Sequence, residues 1–438
     1  MHPHSGEPRP EDTPQAPPGQ YPPPQSYPPP QGYPPPQGYP PPPVQGYPPP
    51  PGYPQQPGYP PPPYPPVQGH PGYQQPPGYP PYQQPPGYPM GHQQQVWPGP
   101  QWQPIPKGPR IVGAPAGTPF HRLARTPKHA AWRSVVGTMT LGIAVFFASL
   151  LVFGIWFGIH MLLGGAEPSL SSDGTQIFGN PTEDLALNLV LLGALIPLVP
   201  LTAWLVQRRP AWSVASVLNR IRWRWLAWCC LPAVGYVVLS FGLGLLVDQI
   251  VPADDSTADN GSWIGFAKFV VPLLLVVFLV PFQATAEEFI FRGWLIQAVG
   301  SFGPDSAEGR ARWVRVLFRS PWPGIVIGGA AFVSAHGYTG WAMLDIFLFA
   351  VLAGWLTVRT GGLEAAIALH VLNNFFAFLL PAAFGGLDDW ADQGGAPWTI
   401  LLSDVPSLAF VLFTVTWLAK RQRIARVSEN QERTVGAV

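Results

Sequence analysis

From about residue 135 onward the chain repeatedly keeps to apolar residues for long enough to cross a bilayer. The windows run roughly 135–163, 184–206, 225–249, 265–299, 323–338, 340–359, 363–384 and 398–420. Inside hydrocarbon each backbone N–H and C=O must be satisfied within the protein, which a helix does by itself. The windows therefore predict an all-α, polytopic membrane bundle of about eight transmembrane helices. The fifth window is short for a full span. The fourth is about 35 residues, or ~50 Å as a helix against a ~30 Å hydrocarbon core, so it tilts, protrudes or breaks near Pro281.

The charges between the windows set the orientation, because Lys and Arg collect in short cytoplasmic loops. Basic clusters stand before the first window (Arg122, Arg125, Lys128, Arg133), between the second and third (Arg208, Arg209, Arg220, Arg222, Arg224), after the fourth (Arg310, Arg312, Arg315, Arg319), at Arg359 and after the last (Lys420, Arg421, Arg423, Arg426). The alternate loops are acidic: Glu167 and Asp173, then Asp254, Asp255 and Asp259, then Asp388, Asp389 and Asp392. Eight spans with both termini in the cytoplasm fit every loop.

Residues 1–118 differ in kind. They are imperfect repeats of Pro, Gly, Tyr and Gln such as QGYPPPQGYPPPP, with hardly an aliphatic side chain. Such a segment buries too little apolar surface to offset chain entropy and is expected to be disordered, with polyproline II character. It reads as a solvated cytoplasmic tether, and its PPGY and PPPPY strings also resemble ligands of Pro-reading partner domains. The division expected is a tail at 1–118, a basic juxtamembrane segment at 119–134, a membrane domain at 135–420 and a basic cytoplasmic tail at 421–438. No apolar leader opens the chain, so no signal peptide is expected. Cys229 and Cys230 are adjacent and apolar in context, which gives no disulfide framework and no metal spacing. The formal net charge is +1, and no nucleic-acid partner is expected.

Charges inside a membrane segment cost ~2.5 to 3.5 kcal/mol each on insertion scales, so each needs a partner or a task. Glu287, Glu288 and Arg292 form such a set in ATAEEFIFRGW. On a helix Glu288 and Arg292 stand four apart and pair, leaving Glu287 about 100° around the cylinder. Alone, the set is equally readable as an ion cluster at the membrane edge. Two histidines fall in later windows, His336 in AAFVSAHGYTG and His370 in ALHVLNNFFAF. His370 shares a face with Asn374, and Asn373 is rotated away. Helical rise from the cytoplasmic boundaries places Glu287 at ~18 Å, His336 at ~20 Å and His370 at ~10 Å. All three are reachable from the cytoplasmic half and are expected to face one wet pocket. Asp345, in WAMLDIFLF, reads as a helix-end residue near the outer face.

A partly buried carboxylate takes a proton from water, an imidazole orients that water or protonates a leaving amine, and an imidazole and amide on one face donate to an oxyanion. The constellation suits peptide-bond hydrolysis. No GxSxG elbow and no HExxH helix competes.

The order EExxxR (Glu287, Glu288, Arg292), FxxxH (Phe332, His336) and HxxxN (His370, Asn374) resembles the CPBP family of CAAX-protease and bacteriocin-processing intramembrane peptidases, related to the Ras-converting endoprotease. The resemblance covers about 225–384. It implies that Glu287 and His336 activate water, that His370 and Asn374 stabilise the oxyanion, and that Glu288 and Arg292 support the first glutamate. It implies a peptide or membrane-protein substrate. No cofactor is favoured; a zinc-dependent version would use Glu287, His336 and His370 as a His₂Glu shell. Lys occurs only at 107, 128, 268 and 420 against many arginines, which points to a GC-rich bacterial source and a plasma-membrane location. The rival expectation is a non-catalytic transporter or scaffold with Glu287 as an ion site.

Overall fold

The computed structural model describes residues 109–169, 176–251, 262–306, 308–389 and 394–429. The Pro-rich expectation over 1–108, and the acidic loop residues Asp173, Asp254, Asp255, Asp259 and Asp392, lie outside the described residues.

The described chain is helical almost throughout. Its helices are α1 (Ala131–Leu162), α2 (Pro181–Gly193), α3 (Leu198–Leu205), α4 (Trp223–Ile250), α5 (Phe266–Glu287), α6 (Ile296–Ser301), α7 (Arg312–Arg319), α8 (Trp322–Ser334), α9 (Gly340–Thr360), α10 (Glu364–Phe384) and α11 (Ile400–Arg421). Taking α2 with α3 and α5 with α6, seven helices among the described residues are long and apolar enough to cross a membrane, or eight if α7 and α8 are one bent span. The protein is an integral membrane protein. α1 shows why most directly: no residue of its most apolar 18-residue window is buried, and Phe146, Phe147, Leu151 and Ile155 all face outward. A helix that leaves so many large apolar side chains uncovered along its middle requires hydrocarbon as solvent.

The fifth apolar window departs from a simple span. α8 has 13 residues, ~20 Å of rise, and it meets α7 at 55°. α7 buries none of its residues and intersperses Arg312, Arg315 and Arg319 with exposed Trp313, Val316 and Phe318, a pattern suited to the membrane boundary. The fourth window, in contrast, does not break at Pro281. Phe266–Ser301 runs as one 36-residue span, and its irregularity comes later, where Glu288–Leu295 widens to a π-helix.

Two features bring the site's helices together. The first is a pair of glycines one turn apart on α8. A Cβ on Gly324 would stand 2.9 Å from the Ile296 carbonyl oxygen, and one on Gly328 would stand 2.8 Å from that of Phe291. Their small size lets α8 lie directly on the backbone of the π segment and α6, as small residues do in membrane helix pairs. The second is Arg222, just before α4. Its Nε donates to Glu364 Oε1 at 2.8 Å and its Nη2 to Oε2 at 2.6 Å, a two-pronged bond to a fully buried carboxylate that fixes the start of α10. Arg222 Nη1 also donates to the carbonyls of Thr360 and Ala425.

Residues 109–118, assigned from composition to the tail, include a tie to the far end of the chain. Thr118 N donates to Ser428 Oγ at 3.0 Å, Ser428 N donates to the Thr118 carbonyl at 2.9 Å, and Pro119 pairs antiparallel with Val427.

Candidate active site

The π segment begins at Glu288, the second glutamate of the motif. A π turn adds a residue to the helix and re-aims the side chains around it, and such turns recur at functional sites. Here Glu287, the last residue of α5, and Glu288, the first of the π segment, are both buried, with 5% and 0% of their surface exposed. Arg292 Nη1 lies 3.0 Å from Glu288 Oε1, as the four-residue spacing predicts. No nitrogen of this guanidinium has a hydrogen-bond partner of good geometry, so the pair is held by charge. The Arg292 guanidinium lies over the Phe332 ring, 4.1 Å from its centroid, a cation–π contact made where water is excluded.

Phe332 thus has a definite task in the second motif. Its ring packs between Arg292 and His336, 4.2 Å from the imidazole centroid. His336 is not within a helix as expected: α8 ends at Ser334 and the histidine occupies the turn before α9. Its Nδ1 donates to the Phe332 carbonyl at 2.7 Å, which directs Nε2 at Glu287 Oε2, 3.5 Å away. From α10, His370 Nδ1 donates to Glu288 Oε1 at 2.8 Å and its Nε2 lies 3.6 Å from the same Glu287 Oε2. The structure brings Glu287, His336 and His370 together at one oxygen, and Asn374 is joined to them through Gln283.

Gln283 was missed from the sequence. It lies one turn before Glu287, donates from Nε2 to Glu287 Oε1 at 2.5 Å, and accepts from Asn374 Nδ2 at 3.1 Å. A polar side chain in an apolar run, four residues from an intramembrane glutamate, was the available signal. Glu287, which the pairing of Glu288 with Arg292 leaves around the cylinder, is thus tied to a neighbour of its own. Asn373 is not turned out of the site either: it donates to Asn374 Oδ1 at 3.4 Å and lines the same cavity. Asp345 stands in the second turn of α9, near the helix end as expected, and there it is buried and lines that cavity too.

The cavity encloses about 1060 Å³, large enough for several residues of an extended peptide. Its wall runs from Thr138 on α1 past Glu287, His336 and His370 to Gly386 and Gly394–Ala396. It thus reaches the bundle end where α9 and α11 begin. The cysteines stay outside it: Cys229 is buried against other helices and Cys230 is partly buried, both as free thiols.

The chemistry at Glu287 Oε2 follows from the tautomers. The Phe332 carbonyl only accepts, and Glu288, paired with Arg292, accepts as a carboxylate, so both Nδ1 atoms carry hydrogen. In the neutral imidazoles both Nε2 atoms are then acceptors. Three acceptors converge with no hydrogen among them, and Glu287 Oε2 has no hydrogen-bond partner. A water molecule supplies two donors to such a corner. By residue type the three are also a zinc donor set. Among the described residues, however, no three His, Cys, Asp or Glu side chains are arranged to hold a metal ion.

A family model described as Rce1-like, type II CAAX prenyl endopeptidase Rce1-like, matches residues 268–376, which include all three motifs. The uncharacterized protein YyaK of Bacillus subtilis (strain 168) is 24% identical over 308 residues, covering 66% of this chain and 96% of that protein. No solved structure matches. With its motif side chains gathered on one carboxylate inside a membrane bundle, the chain is similar to the Rce1-like CAAX prenyl endopeptidases over the segment that carries its three motifs.

Proposed function

We propose that the protein is an endopeptidase that hydrolyses a peptide bond of a membrane-associated protein or peptide, with Glu287 as general base. The observation that carries this reading is the convergence of His336 Nε2 and His370 Nε2 on Glu287 Oε2, at 3.5 and 3.6 Å, inside a peptide-sized cavity. Water bound there donates one hydrogen to Glu287 and the other to an imidazole. As its oxygen bonds to the scissile carbonyl carbon, its proton passes to Glu287. When the C–N bond breaks, that proton goes to the leaving amine, and carboxylate and base are regenerated. Asn374 has a second amide hydrogen beyond the one given to Gln283, and it donates to the oxyanion. His370, its Nδ1–H held by Glu288, lies one turn from Asn374 and steadies the water through Nε2. Glu288, Arg292 and Gln283 hold these groups in place. The same reading puts both termini in the cytoplasm of a bacterium, the protein in its plasma membrane, and the Pro-rich tail free to recruit partners.

The test is to purify the full chain in detergent, incubate it with membrane-protein extracts, and identify new peptide termini by mass spectrometry. Fragments made by wild type should be lost in Glu287→Ala, with a fall in rate of at least ~100-fold, and should persist with a chelator present. Fragments that survive the substitution would remove Glu287 from the chemistry. Loss on chelation, restored by zinc, would replace the metal-free route with the zinc-dependent one.

A further inference from the structure

The cavity contains a second acidic group that the proposed chemistry does not use. Asp345 on α9 and Asp404 on α11 lie within hydrogen-bonding reach of each other, and both line the cavity that holds Glu287. Asp404 is fixed from α4: Tyr236 OH donates to its Oδ2 at 3.2 Å and Ser240 Oγ donates to its Oδ1. Asp345 is less well satisfied. Only 4% of it is exposed, yet its Oδ1 has no hydrogen-bond partner.

We propose that the Asp345–Asp404 pair is a subsite for an organic cation of the substrate, the ammonium of a lysine or amino terminus or the guanidinium of an arginine. The charge of the cavity supports this. Its lining includes three carboxyl groups, Glu287, Asp345 and Asp404, and no Lys or Arg. Its basic members, His336 and His370, are directed at Glu287. Two carboxyl groups in contact cannot both ionise without repulsion, and a cation seated between them lets both do so. A buried acceptor without a partner is costly, and an N–H donor on that cation satisfies it. Among the described residues no three acidic, His or Cys side chains are arranged for a metal ion, so a group with several N–H donors is the better complement.

The pair is also tied to the catalytic carboxylate. Tyr236 OH contacts Asn373 Oδ1 at 3.5 Å, Asn373 donates to Asn374, Asn374 to Gln283, and Gln283 to Glu287. A cation seated on the aspartates would thus lie at a fixed remove from the bond cleaved, and the subsite would select a basic residue at one position of the substrate. Calling the cation part of the substrate rests on the hydrolase reading; the cation site itself does not.

The experiment uses blocked apolar peptides in which one Arg is moved residue by residue along the sequence, each with a Gln twin. Cleavage is measured with the full-length wild-type protein in nanodiscs, and binding by calorimetry to full-length Glu287→Gln. At one position the Arg peptide should be preferred by about tenfold or more in both assays, and the Arg:Gln ratio should fall towards one in Asp345→Asn and in Asp404→Asn. Both variants are used only if gel filtration and thermal unfolding match wild type, and the wild-type ratio decides the matter by itself if neither does. A wild-type ratio near one at every position overturns the proposal, as does a ratio unchanged in both folded variants. If no peptide is cleaved but Arg-dependent binding is seen and needs Asp345, the hydrolase reading falls and the cation site stands. Neither cleavage nor binding overturns both.

Discussion

One oxygen of Glu288 serves two partners: Oε1 lies 2.8 Å from His370 Nδ1 and 3.0 Å from Arg292 Nη1. The carboxylate fixes the tautomer of the histidine while the arginine balances its charge. This divides labour within a motif whose two glutamates are adjacent and alike in sequence. Glu288 orients a ring; Glu287 faces the cavity.

Replacing Glu288 by Gln keeps the shape and removes the charge. The amide accepts from His370 less strongly and leaves Arg292 buried without a counter-charge. Turnover of a cleavable peptide should drop by about 10- to 100-fold, as it does when the carboxylate behind a metal-ligating histidine is removed. Glu287→Gln should lose more, because it removes the proposed base. Single-turnover rates of both variants on one peptide give the comparison, and equal losses would mean that the two carboxylates do not differ in role.

Gln283 joins Asn374 to Glu287, so Gln283→Leu should affect both. The substitution is close in volume and leaves one donor on Asn374 and one acceptor on Glu287 without their present partner, at about 1 to 3 kcal/mol for each buried group left unsatisfied. Thermal unfolding in detergent should shift downward, and cleavage should slow without a change in which bond is cut. Unchanged stability would show that water takes over both contacts.

Much of this was legible in the sequence because hydrocarbon is a demanding solvent. It restricts the chain to long apolar helices, and the windows at 135–163, 225–249, 363–384 and 398–420 correspond closely to α1, α4, α10 and α11. It also makes polar residues rare, so Glu287, Glu288, Arg292, His336, His370 and Asn374 stood out against their background. What was hidden depends on geometry that hydropathy does not encode. The π segment shifts the angular position of everything after Glu288. Asn373 appeared to point away because ideal helical spacing was applied to a side chain long enough to reach back. Asp345 is near a helix start, as counting gives, but its burial was not legible, because the 394–396 segment and α11 cover that end.

The glycines of α8 provide a packing test with no polar change. A side chain at Gly328 would run into the Phe291 carbonyl, and backbone in a packed helix pair yields little. Gly328→Leu should push α8 off the π segment, cost ~1 to 3 kcal/mol or more of stability as overpacking does, and separate His336 from Glu287. At the neighbouring Gly329 an added Cβ would meet only the Phe347 ring at 3.4 Å and the Ala350 and Val351 side chains at 3.6 Å, ordinary contacts. Gly329→Ala should therefore keep near wild-type unfolding temperature and activity. If the two variants behave alike, close approach at Gly328 is not what seats the histidine.

Outside the membrane spans, His121 gives the structure a pH dependence whose direction can be worked out. It lies in the short 3₁₀ turn Phe120–Arg122, is nearly fully buried, and donates from Nε2 to the Arg319 carbonyl at 3.2 Å, which docks the segment before α1 onto the end of α7. Burial lowers its pKa from the usual 6.5; the hydrogen bond to Arg319 opposes that shift and the nearby Arg122 adds to it. The folded arrangement therefore disfavours the protonated ring relative to the released segment. Its stabilising contribution is complete above pH 6.5 and declines as the pH falls below that value toward the lowered one. Hydrogen exchange over 119–123 and 312–319 should be slow at pH 7.5 and faster at pH 5.5. His121→Gln cannot be protonated and should show the same exchange at both values once the intrinsic pH effect is removed. Acid-induced loosening that persists in His121→Gln would assign the effect to another group, with His129 the first to examine, because burial and Arg125 lower its pKa too.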